Sequence, residues 1–81
     1  MAKPSPNHAG DPALVAVGRA IRKVRVLKDI SQEQLANEAG IDRSYMGGVE
    51  RGEHNLTIIS LKKIARGLGT TCAELLFDAG V

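Results

Sequence analysis

Eighty-one residues, 43% of them apolar, make one small domain with a single modest core, and a net charge of +2 does not by itself demand a polyanionic partner. One cysteine excludes a disulfide framework and a thiolate-rich zinc site, and with one tyrosine, one phenylalanine and no tryptophan the core must be aliphatic. No apolar run approaches the roughly 20 residues of a membrane span, and the N-terminus lacks the apolar stretch of a secretory signal, so a cytoplasmic protein is expected.

Residues 1–12 hold all three prolines among Asn, Ser and Gly, a composition that predicts a flexible arm. Lys3 and His8 would let such an arm follow a nucleic-acid groove; a plain disordered terminus is the simpler reading. The ordered domain then spans residues 13–81. The spacing of Leu14, Val17, Ile21 and Val24 predicts a first helix over Ala13 to Lys28 with one apolar stripe. Arg19, Arg22, Lys23, Arg25 and Lys28 crowd cations into its second half, which suits either a solvated face or a polyanion. Asp29, a residue that tolerates unusual backbone angles, marks the turn.

Ser31, with Gln34 three residues on, reads as a capping box for a second helix over Gln32 to Ala39, ended by Gly40. Ile41 plugs the turn. Asp42 caps a third helix, Arg43 to Arg51, with Met46, Val49 and Glu50 inward and Gly52 as its stop. A loop through Glu53, His54 and Asn55 leads to Thr57, the cap of a fourth helix from Ile58 to Gly67 with Leu61, Ile64, Ala65 and Leu68 in the core. Thr71 caps a last helix, Cys72 to Asp78, in which Cys72 serves as a small, partly buried apolar residue. No stretch alternates apolar and polar residues over a strand length, so the fold is all-α, a bundle of five short helices.

Within Gln32 to Arg51 the small Ala36, the turn glycine Gly40 and the anchors Leu35, Ile41, Met46 and Val49 follow helix-turn-helix grammar. In that motif two helices cross steeply, and the second is presented to the DNA major groove. The segments Ser31-Gln32-Glu33-Gln34-Leu35-Ala36, Gly40-Ile41, Glu50-Arg51-Gly52, Ile64-Ala65 and Leu68-Gly69 together resemble the phage-repressor/Cro-type, XRE-like regulators. The likeness runs from Val17 to Leu76 and implies a lambda-repressor-like DNA-binding domain. Asp29 departs from the family's usual Gly, and Gly47-Gly48 stand where relatives often carry long polar side chains.

The resemblance implies roles for particular residues. Arg43, Ser44, Tyr45, Gly47 and Gly48 match exposed base-contact positions, with Arg43 best suited to guanine. Tyr45 either reaches the DNA or packs as a half-buried residue. The double glycine would serve close approach to DNA or reading of DNA shape. Gln32, Asn55 and Thr57 match phosphate-contact positions. Arg25 and Glu50 match an internal salt bridge that orients the third helix. Relatives bind palindromic operators as homodimers, with half-sites about 34 Å apart, and here Leu68, Leu75, Leu76, Phe77 and Val81 are expected to supply the dimer surface or to close the core.

The implied partners are double-stranded operator DNA, a second copy and, for an activator, RNA polymerase. The small size resembles controller proteins of restriction–modification systems; phage repressors and antitoxins are the alternatives. An enzyme is not expected, because His8 and His54 lack metal-ligand spacing and no nucleophile–base pair or phosphate loop is present. Neither a cofactor nor a small-molecule ligand is implied.

Overall fold

A computed structural model describes residues 3–81. Among these residues the chain forms five helices, α1 (Pro12–Leu27), α2 (Gln32–Ala39), α3 (Arg43–Glu50), α4 (Ile58–Gly67) and α5 (Cys72–Ala79), and no strand. The helix borders follow local chemistry. α1 starts one residue earlier than its apolar stripe suggests, because Pro12 suits the first helical position, where its missing N–H costs nothing. The Asp11 carboxylate accepts from Ala13 N at 2.9 Å. At the other end Lys28 is the cap and Asp29 turns the chain at φ +57°, the one non-glycine residue in the left-handed region among those described.

The Ser31–Gln34 capping box closes in both directions, Gln34 N to Ser31 Oγ at 3.0 Å and Ser31 N to Gln34 Oε1 at 2.8 Å. Gly40 ends α2 at φ +69°, and Ile41 N returns to Ala36 O at 2.9 Å. Asp42, Thr57 and Thr71 each cap the helix that follows with a side-chain oxygen.

The apolar faces of all five helices meet in one core. Val17 and Ile21 of α1, Leu35, Ala36 and Ala39 of α2, Met46 and Val49 of α3, Leu61, Ile64 and Ala65 of α4, Leu68 beyond it and Leu75 of α5 are buried together. Val24, Ile41 and Cys72 pack half-buried against them. α1 lies on α5 and α3, while α2 lies on α3 and α4. α1 comes close to the backbone of α3 at Gly18, where a Cβ would stand 2.5 Å from Val49 O and 2.6 Å from Glu50 O. Only glycine lets α1 cross the last turn of α3 at that distance.

Of the expected arm, residues 1 and 2 lie outside the described residues. Farther along, two backbone bonds join this segment to the loop after α3: Ser5 N donates to Glu53 O at 2.7 Å and Gly10 N to Gly52 O at 2.8 Å. Backbone donors need partners wherever water is displaced, and the loop after α3 supplies them. Among the described residues no helix is long and apolar enough to cross a membrane.

Candidate nucleic-acid interface

α3 is short, and its two ends are built differently. At the first turn Asp42 accepts from Ser44 N at 3.0 Å and Tyr45 N at 3.3 Å, and the Ser44 hydroxyl also donates to it. These bonds, the Ser44 hydroxyl first, hold the Asp42 carboxyl below its ordinary value. Ser44 is therefore engaged with its own cap. Arg43 is exposed, and no hydrogen bond or ion pair holds its guanidinium among the described residues. It projects a fork of donors from the free end of the helix.

From Met46 to Glu50 every residue of α3 is buried. Glu50 is clamped by Arg25, whose Nε donates at 2.6 Å and Nη2 at 3.0 Å, a bidentate pair. Arg25 Nη1 donates in addition to Ile30 O at 2.9 Å. The bond to Glu50 raises the guanidinium pKa above its ordinary value. The sequence expectation of an internal bridge between α1 and the end of α3 corresponds to this geometry. It also removes Arg25 from the cations of α1 that a polyanion could meet. Arg19 and Lys23 border Asp78 and Ala79 of α5 along a shallow cleft.

Several residues stand elsewhere than expected. The Gln32 side chain turns inward, its amide donating to Glu50 Oε1 at 3.0 Å, so it completes the shell of a buried carboxylate. Gly47 and Gly48 are buried, not exposed to a groove. A Cβ at Gly47 would stand 3.2 Å from Arg51 Nη1 and 3.5 Å from Gln32 Oε1, and one at Gly48 would strike His54. Both glycines make room for protein side chains. Leu68 and Leu75, at 1% and 0% exposure, close the core and have no surface to give a dimer. Leu76 is half-buried, whereas Phe77 (84%) and Val81 (59%) stand in solvent.

Asn55 and Thr57 are exposed on the run into α4. Thr57 Oγ1 accepts from Ser60 N and donates to Ser60 Oγ, both at 3.0 Å, so the hydroxyl is the helix cap. Two features escaped the sequence reading. His54, read as a loop residue, is 7% exposed and stacks on Tyr45 with ring centroids 4.5 Å apart. The exposed apolar residues Val26, Leu27, Ile58 and Ile59 were also unforeseen. Their helical spacing gave no warning, since only the packing of neighbours decides which apolar residues a helix hides.

Arg43, Ser44 and Tyr45 thus share the outward turn of a helix whose other end is locked into the protein. A helix-turn-helix model matches residues 21–75. The chain belongs to the helix-turn-helix family. Among similar proteins in this family is the control protein C.MunI of a Mycoplasma species, 38% identical over 65 residues, which are 79% of this chain and 88% of the relative. The crystal structure of the restriction–modification controller protein C.AhdI from Aeromonas hydrophila shares 45% identity at a TM-score of 0.75, covering 76% of this chain and 94% of that one. The structure of C.Esp1396I bound to a 25-base-pair operator site shares 38% identity at a TM-score of 0.74, covering 83% and 92% respectively. Among the described residues no group of three or more His, Cys, Asp or Glu side chains is placed to hold a metal ion.

Proposed function

We propose that this chain is a sequence-specific DNA-binding transcription regulator of the restriction–modification controller type, acting as a homodimer on a palindromic operator. The observation that carries the reading is the construction of α3. Its exposed Arg43 turn stands on a base anchored by the half-buried Arg25 and Gln32 around the buried Glu50, in a chain similar along most of its length to controller proteins. Arg43 reads bases, best a guanine through O6 and N7. Ser44 and Tyr45 contact bases or backbone from the same turn. Asn55 and the first turns of α2 and α4, with their outward N–H groups, meet phosphates.

Phe77 and Val81 at the end of α5, beside half-buried Leu76, supply the apolar patch for the second copy. RNA polymerase is the further partner if the regulator activates, and the cytoplasm is the compartment where such a protein meets its operator. Selection of duplexes from a random-sequence DNA pool by the wild-type protein tests the reading. Enrichment of one palindrome supports it; a pool that stays random overturns it.

A further inference from the structure

Gly48 lies inside a helix, where glycine is less favourable than alanine, and what occupies the space of its missing side chain is His54. A Cβ there would stand 2.4 Å from Nε2 and 2.7 Å from Cδ2 of the imidazole. The ring therefore rests its edge on the α3 backbone. Its face lies on Tyr45, with centroids 4.5 Å apart and planes 23° from parallel.

The loop that carries His54 is itself fastened. Glu53 N donates to Gly48 O at 2.9 Å, and Ser5 N donates to Glu53 O at 2.7 Å. The Arg51 guanidinium holds the Glu53 carboxylate at 2.8 Å. His54 is thus a fixed wall, and Tyr45 leans on it from the turn that also bears Arg43. A half-buried tyrosine without that wall would sample several χ1 wells and lose that freedom on binding. A stacked one meets its partner already ordered.

We infer that His54 is a positioning residue for DNA recognition: seated on Gly48, it holds the Tyr45 ring in the one orientation from which the phenol meets the DNA. The inference rests on the DNA-reading function proposed above.

Tyr45 is the single tyrosine of a chain without tryptophan, so the near-ultraviolet circular dichroism band of tyrosine reports on this ring alone. Three variants separate the causes. His54→Ala removes the wall. Gly48→Ala leaves His54 in the chain but drives its ring off α3, while improving helix propensity, and it decides the matter if His54→Ala does not fold. His54→Phe keeps a flat ring in place. The DNA probes are the duplex selected by the wild-type protein and a random duplex of equal length. His54→Ala and Gly48→Ala are expected to flatten the tyrosine band with helix content retained. They should also weaken the selected duplex about two- to tenfold, the worth of an aromatic pair, with little change on the random one. His54→Phe should restore both signals. A tyrosine band unchanged in both alanine variants overturns the inference, as does a lost band with undiminished preference for the selected duplex. A wild-type protein that selects no sequence overturns the DNA-reading function and the positioning role together, while the tyrosine band still shows, without DNA, whether the stack exists.

Discussion

The two ends of α3 obey opposite rules although they lie within eight residues. Its last five residues, Met46 to Glu50, are all buried, two of them glycines and one a charged carboxylate. Its first three are exposed or half-buried and carry Arg43, Ser44 and Tyr45. The inner end has no freedom: Glu50 takes donors from Arg25 and Gln32, Gly18 touches its carbonyls, and Gly47 and Gly48 are filled by neighbouring side chains. The outer end has its cap and the stack of Tyr45 on His54. A helix held this way presents its first turn from a fixed base, so the precision of the exposed turn is made largely by residues behind it. Changes at the inner end should therefore cost stability, except at Gly48, where an added methyl meets only the movable His54 ring, and changes at the outer end should cost recognition.

Gly18→Ala should break the comparison most severely. Its methyl meets two backbone carbonyls that cannot rotate away. A loss of about 3 kcal/mol or more is expected, seen as a large drop in urea midpoint. Arg25→Ala strands the Glu50 carboxylate, whose side chain is 2% exposed, with Gln32 as its remaining donor. About 3 kcal/mol should be lost in chemical denaturation. If the variant is as stable as wild type, the inner end is not held by the bridge.

Arg43→Ala should leave the unfolding curve in place and weaken binding to the selected duplex by about 1–3 kcal/mol, with relaxed preference at one base pair. An equal loss on random DNA would move Arg43 to a phosphate role. Phe77→Glu should convert a dimer to monomer in sedimentation while the core, closed by Leu68 and Leu75, stays folded.

The smallest effect belongs to the cap of the outer end. The Asp42 carboxyl is held low by Ser44 and by the N–H groups of Tyr45 and Ser44. Its ionised form contributes fully above the unfolded value of about 3.9, and that contribution fades as pH falls through the folded value. Thermal unfolding of wild type relative to Asp42→Asn should accordingly favour wild type less at pH 3 than at pH 6. A difference independent of pH would remove charge from the account of this cap.

Helix borders were legible because they are made within three or four residues. The Ser31–Gln34 box, the left-handed Gly40, the caps at Asp42, Thr57 and Thr71, and the turn at Asp29 each use atoms close along the chain. The site was legible in part. Arg43 stands exposed where the resemblance placed it, and Arg25 joins Glu50. The bond from Gln32 to Glu50 was not legible, because a polar amide suits many partners and only the position of Glu50 brings the two together. Leu68 and Leu75 were misread because apolar residues at a bundle's end look alike whether they close a core or face a partner.

The sequence by itself determined the five helices, their caps and the turn that joins α2 to α3, since those depend on contacts between near neighbours and on period-3.6 patterning. The tertiary structure alone decided what the glycines are for. Gly18 admits the backbone of α3, Gly47 lies against Arg51 and Gln32, and Gly48 admits His54. A missing side chain states that something must come close, and the identity of that neighbour is settled by how the helices cross.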